Sequence, residues 1–408
     1  MKGFLRDVLP EATYYLAMTG LFSFGNALSG MFLQIFIWRL DRTFTLLAQY
    51  SFYTSLFILC SFYFCAWLAR KTSPMATMRW GIAGYFLSYL LALALRDALI
   101  HHLLLLGLLQ GLAISLFSVG MHMANLDMAT NRGRDRFLYM QGLVAAMIGG
   151  VAGPLVSGAV ISWFDQMLGY YLVFFMTCVF FGLAAIVSLR IPERPVELQS
   201  RLLAVLLHAP KEWKRMYLVM LGDGIASGVY VTFLISMMMY QVAGGEWKLG
   251  VFQMMSELVS IVSLVILARR SRPDQRMLVY TIGTLGIWLS SLFLAYQPTM
   301  LSLMLFVLMK PIALNMMNTT MNALIYAAIE KDPCYKQMQL DYITVREIPL
   351  GLGRMAGVFI FFMMRNYLDF DQLLPVSFSL FPLIYVAMIP VLYLIWHKNQ
   401  KEAGRTLT

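Results

Sequence analysis

The sequence predicts an all-α integral membrane protein. Twelve transmembrane helices are expected, arranged as two pseudo-symmetric six-helix bundles. Three observations carry this. The 408 residues are 60% hydrophobic, 14% aromatic and 13% charged, with a mean hydropathy of +0.70. A soluble chain carries about 25% charged residues. Apolar runs of the length that crosses the hydrocarbon core, about 20 residues, recur along the whole chain. Short stretches of the first half also return in order in the second.

Taken in order, the predicted spans begin with 13–38, where Asn26 and Gln34 interrupt an otherwise apolar run, and 46–68, which ends in "LARKTSP". Spans 77–95 and 103–124 follow, the latter with "GLLQG" at 107–111 and His122 near its end. Span 137–162 contains "GGVAGPLVSG" at 149–158, and 169–189 closes the first set. Residues 190–215 form the longest internal polar loop, with six basic residues, three prolines and an apolar stretch from Leu202 to Leu207. That pattern predicts a linker holding an amphipathic surface helix. It divides the chain into bundles at 1–192 and 215–408, joined by 193–214. The second set is 216–241, 249–268, 277–296, 299–329, 342–365 and 375–396. The first apolar run is too long for a cleavable signal peptide.

Charge sets the expected orientation. With the N-terminus inside, 23 of the 31 Lys and Arg residues fall on inside loops and five outside, and Lys310, Arg346 and Arg354 fall in spans. Such a bias predicts cytoplasmic termini on a multi-pass protein of the cell membrane. The net charge of +10 then faces anionic lipid, and no nucleic-acid partner is implied. Cys60, Cys65 and Cys178 lie in spans and Cys334 in a loop, without disulfide or metal-ligand spacing. No nucleotide-binding glycine loop, HExxH or serine triad is present. Catalysis, a bound metal and a cofactor are therefore not expected.

The internal repeat is specific. "LARKTSP" (68–74) returns as "LARRSRP" (267–273), and Gly25 and Ala27 return as Gly224 and Ala226, all 199 residues on. "GGVAG" (149–153) returns as "GRMAG" (353–357) at an offset of 204. Duplicated halves with a site between them are a signature of secondary transporters. Twelve spans, a 6+6 division and a basic central loop resemble the major facilitator superfamily, within it a YqgE-like bacterial subgroup. "GGVAGPLVSG" resembles that superfamily's fifth-span antiporter motif, matched by Gly149, Gly153, Pro154 and Gly158. Small-residue helix packing is the simpler reading of the same pattern. Two departures stand out. Arg70, followed by Lys71, occupies the position where the family usually has an Asp before a basic pair. Gly107 stands where drug exporters carry an Arg linked to proton coupling, although Gln110 and Gly111 match. The resemblance implies transport by alternating access, with no cofactor beyond a coupling proton, by a monomer acting on a small molecule.

Charges inside lipid are costly and mark pathways or pairs. They are Asp223, Glu257, Lys310, Arg346, Glu347 and Arg354. Glu347 and Arg354 share a helical stripe in "REIPLGLGRMAGVFIFFMM", where Pro349, Gly351 and Gly353 predict a broken, cavity-lining helix. Arg354 occupies the repeat position of Gly150. Glu257 and Glu347 are the candidate proton carriers. Arg354, Lys310, Asn315, Asn318, Asn26 and Gln34 are the candidate substrate contacts, the asparagines continuing a stripe from Pro311 to Asn322. Asp223 and Arg346 are candidate gating or structural groups. A structural ion-pair network among the same charges is the competing reading. The expected function is proton-coupled export of a small amphiphilic or anionic molecule. Import of a small polar solute, or a non-transporting receptor or scaffold, are the alternatives.

Overall fold

A computed structural model describes residues 11–127, 140–164, 166–193, 202–270, 273–330, 332 and 335–405. Outside these lie Lys2 and Arg6, the loop with Arg132, Arg134 and Arg136, linker residues 194–201, Arg272, Lys331 and Cys334. Among the described residues there is no strand.

The helices are α1 (Ala12–Asp41), α2 (Phe44–Lys71), α3 (Pro74–Leu95), α4 (Leu103–Asp127), α5 (Met140–Trp163) and α6 (Gln166–Ser188). A short α7 (Leu202–His208) lies in the linker. Then come α8 (Lys211–Ala243), α9 (Glu246–Arg270), α10 (Arg276–Tyr296), α11 (Met300–Ile329), α12 (Tyr335–Arg365), α13 (Phe370–Ala387) and α14 (Ile389–Arg405). Eleven described stretches are long and apolar enough to cross a membrane. One of them, Pro74–Ala124, holds both α3 and α4, joined by a 3-10 turn at Arg96–His102. The described residues therefore hold twelve helical stretches of crossing length. A one-residue turn at Met388, before Pro390, separates α13 from α14, and the pair makes one crossing.

Packing divides the chain into two compact units. The first is 1–200 with 244–257; the second is 201–243 with 258–408. The boundary falls inside α9, so the start of that helix belongs to the first unit and its remainder to the second.

In the first unit α1 packs on α5 and α6, and α3 on α4 and α6. In the second, α8 packs on α12 and α13, and α10 on α11 and α13. These are the same pairs displaced by six spans, so the repeat holds in tertiary contacts as well as in short sequence matches. Aromatic rings fill the first core. Phe22 stacks on Phe117 at 3.7 Å between centroids and meets the edge of Tyr85. Phe36 meets the edge of Phe174. In the second core Tyr230 packs on Phe378 and shares a 2.5 Å hydrogen bond with Ser291, which satisfies a hydroxyl that lipid could not. At the start of the linker, Arg79 donates to the Ser188 and Ile191 carbonyls and pairs with Glu193, which fixes the chain as it leaves α6.

Two spans depart from α-geometry. α5 is π-helical over Ala145–Ala152 and α8 over Ser227–Leu234. Such segments are rare and concentrate at functional sites. In α5 the π-segment ends at Gly153, and Pro154 opens the following α-segment, where a missing N–H costs little.

Candidate transport site

In the second unit, α8 and α12 touch backbone to backbone. A Cβ on Gly228 would stand 2.6 Å from Arg354 Cα, and one on Gly224 would meet Gly353 Cα at 2.9 Å and overlap the Leu350 carbonyl. A Cβ on Gly357 would overlap the Ile225 carbonyl. Gly353 and Gly357 of α12 therefore serve close packing. The expected break at Pro349 is corrected: α12 runs unbroken over Tyr335–Arg365, with Pro349 inside it. A helix pressed on a neighbour can carry an internal proline, because the neighbour covers the freed backbone groups.

This contact fixes a set of charges. Glu347 has a buried side chain and lies 3.5 Å from Arg346 Nη2 and 3.4 Å from Arg354 Nη1. Asp223, one residue before Gly224 on α8, lies in the electrostatic field of Arg354, Arg346 and Glu347. Two carboxylates thus balance two guanidinium groups. The Arg346 Nε is buried and makes no hydrogen bond among the described residues. Arg354 sits near the middle of its span.

On α11, Lys310 is 7% exposed and precedes Pro311 within a continuous helix. Asn315 donates its amide to the Ser260 carbonyl and to Ser260 and Ser263 Oγ, at 2.6–3.1 Å. It ties α11 to the later half of α9. Asn318 and Asn322 are exposed instead. The predicted asparagine stripe therefore separates into one packing residue and two open ones.

The first unit holds a matching contact between α1 and α5. A Cβ on Gly149 would stand 2.8 Å from the Ser23 carbonyl oxygen, and one on Gly153 would stand 2.7 Å from Ala27 Cβ. A Cβ on Gly158 would stand 2.7 Å from the Glu246 carbonyl oxygen at the start of α9, and Ser157 Oγ donates to the Leu28 carbonyl. The repeat partner of Arg354, Gly150, has no side chain, and Glu257 occupies the space. A Cβ there would meet Glu257 Cδ at 2.6 Å and Oε1 at 2.8 Å. On α1, Asn26 is exposed, the Gly30 face is open and Gln34 Oε1 is buried without a hydrogen bond among the described residues. Steps of four residues place these three on one stripe.

Two departures from the family pattern gain a physical account or a location. Gly107 and Gly111 seat α4 on α2, with Cβ positions 2.6 Å from Tyr53 Cβ and 2.7 Å from Phe57 Cβ. An arginine at 107 has no room. Lys71 lies 4.4 Å over the Trp67 ring, and Arg70 is half-buried beside it.

One cluster escapes sequence reasoning. Arg39 at the end of α1 pairs with Glu246 at the start of α9 at 2.5 Å, and the Tyr170 hydroxyl donates to the same carboxylate at 3.0 Å. Arg39 also lies 5.8 Å over the Tyr170 ring. By hydropathy both charges read as ordinary loop residues. Only the fold joins positions so far apart.

The Major Facilitator Superfamily model matches residues 16–333. The chain belongs to this superfamily. It is therefore a membrane transporter by family, not an enzyme, and transporters of this superfamily need no cofactor. Among curated relatives, the uncharacterized protein YqgE of Bacillus subtilis (strain 168) is 25% identical over 388 residues, spanning 93% of this chain and 89% of that protein. Solved superfamily structures share the fold. The nucleoside transporter NupG aligns with a TM-score of 0.70 at 12% identity, covering 94% of this chain and 99% of that one. The E. coli fucose:proton symporter FucP aligns at 0.62 and 13% identity, covering 95% and 98%.

Proposed function

We propose that this superfamily member is a proton-coupled secondary transporter that exports a small amphiphilic or anionic molecule by alternating access. The observation that carries the reading is the charge cluster of α8 and α12. Glu347 is shared by Arg346 and Arg354, and Asp223 shares their field. Arg354 is the cation that an anionic group would compete for, by drawing it from Glu347. Glu257 lies against Gly150, the glycine that replaces Arg354 in the repeat. It is the carboxylate at which a proton and the polar or cationic end of a substrate exclude one another. Competition at one carboxylate makes exchange obligatory, and that is antiport. The fifth-span glycines support the same direction. Lys310, the exposed amides of Asn26 and Asn318, and the buried carbonyl of Gln34 serve as further substrate contacts, while Asn315 holds α11 to α9.

The exposed amides also favour a second reading, import or facilitated passage of a small polar solute. Both readings place a monomer in the cell membrane with cytoplasmic termini, and a linker at 193–214 between bundles 1–192 and 215–408. Reconstituted protein under an imposed pH gradient tests them. Export predicts that Glu257→Gln abolishes gradient-driven accumulation of substrate while leaving substrate exchange. Unchanged coupled uptake in that variant removes Glu257 as the proton carrier. Arg354→Gln is expected to weaken ligand binding in a protein that still folds; loss of folding instead would assign Arg354 to a structural ion-pair network. Accumulation of a neutral polar solute in the direction of proton flow would select import.

A further inference from the structure

A groove of about 490 Å³ lies within the second unit. Its walls come from three elements: Leu206 of α7, Lys214, Tyr217, Leu218 and Leu221 of α8, and Val345, Ile348, Pro349 and Leu352 of α12. The volume suits a small-molecule or lipid-chain site. The lining is almost wholly aliphatic, and Leu218, Ile348 and Leu352 are 53%, 38% and 50% exposed. Aliphatic side chains left exposed on a membrane helix suit contact with lipid chains.

The end of the groove differs in chemistry. α8 begins at Lys211, and Lys211, Lys214 and Arg215 are all exposed. Steps of three and four residues carry one face of α8 from Lys211 through Lys214 and Leu218 to Leu221. That face passes from ammonium groups to aliphatic side chains within three turns. Lys214 Nζ donates to the Leu207 carbonyl at 2.9 Å, which holds α7 over the groove and leaves two of the three ammonium donors. The Tyr217 hydroxyl is buried in the wall beside the Trp213 indole. A phenol set between basic side chains and an aliphatic slot suits a ligand with a polar neck.

We propose that this groove holds an anionic glycerophospholipid. Its acyl chain lies along Leu218, Leu221, Ile348 and Leu352, its ester region meets Tyr217, and its phosphate lies among Lys211, Lys214 and Arg215. Lys214 in the groove wall, with Lys211 and Arg215 exposed beside it at the start of α8, complements a headgroup of net negative charge; basic pockets between membrane helices recognise such lipids in this way. A zwitterionic lipid fills the slot without the same gain. The bound lipid also rests on Pro349, two residues from Glu347, and on α7.

The test is native mass spectrometry of the full chain in detergent, titrated with dioleoyl-phosphatidylglycerol or dioleoyl-phosphatidylcholine. The wild type is expected to retain the anionic lipid at least tenfold more tightly. Each removed charge costs about fivefold in affinity, so K211Q/K214Q/R215Q is expected to lose on the order of 100-fold for phosphatidylglycerol and nothing for phosphatidylcholine. Leu352→Trp, at an exposed position, fills the slot without touching the charges and is expected to lose both lipids. It keeps the test open if the triple variant does not fold. Equal retention of phosphatidylglycerol by wild type and K211Q/K214Q/R215Q would overturn the proposal. So would full displacement of the lipid by soluble glycerol phosphate, which would assign the site to a free anion.

Discussion

Glu347 is the residue on which the second unit's charge balance turns. Its carboxylate lies between Arg346 and Arg354, and with Asp223 it offsets both guanidinium groups. Removing one partner from a buried ionic group leaves an uncompensated charge and costs about 3–5 kcal/mol. Glu347→Gln is therefore expected to lower the thermal midpoint of detergent-purified protein markedly. Glu347→Gln/Arg354→Gln together should cost less than the two single changes summed, since the double variant strands one charge fewer. Strict additivity in that cycle would show that the pair is not coupled. Several of these residues were legible in the sequence, because a charge inside a hydrophobic run is conspicuous wherever it points. What each one meets was not. Gly150 read as an empty position opposite Arg354 in the repeat. The vacancy is filled by Glu257 from another helix, and no local pattern reports that.

At the scale of the element, the decisive feature is the contact of α8 with α12 and its counterpart between α1 and α5. Both depend on glycines that admit a neighbouring backbone. Small-xxx-small spacing made the contacts legible, but not their partners, and Pro349, Gly351 and Gly353 read as helix breakers where the helix is continuous and Gly353 packs on α8. Glycine weakens a helix in water by propensity. In a membrane, close packing between backbones outweighs that cost. The π-segments of α5 and α8 were not legible either, since their composition is that of any apolar span. Gly228→Leu tests the packing reading. Its side chain would drive into Arg354 Cα, and overpacking costs typically about 1–3 kcal/mol. A lowered melting temperature with displaced α12 is expected, measured against Gly182→Leu, where no heavy atom lies within 4 Å of the added Cβ. Equal stability of the two variants would contradict the close contact.

The whole molecule follows from two tiers of information. Span length and hydropathy dictated twelve crossings, and the repeat dictated two related halves whose helix pairs match. Tertiary placement supplied what periodicity lacks, including the Arg39–Glu246–Tyr170 cluster and the start of α9 packing with the first unit. Orientation rests on a separate physical quantity, the energy of Lys and Arg on short loops relative to the membrane's charged face. Of the 31 basic residues, 23 lie on one set of loops and five on the other, a bias too large for one or two miscounted boundaries to reverse. Both termini should therefore face the cytoplasm, and an even number of crossings requires them to lie on the same side. Fusing green fluorescent protein to the C-terminus and, separately, alkaline phosphatase after Arg96 reports both surfaces. Fluorescence from the first and phosphatase activity from the second are expected. A dark C-terminal fusion with an inactive phosphatase would invert the topology and turn the +10 net charge toward the outer face. Fluorescence with an inactive phosphatase would instead move the boundary between α3 and α4.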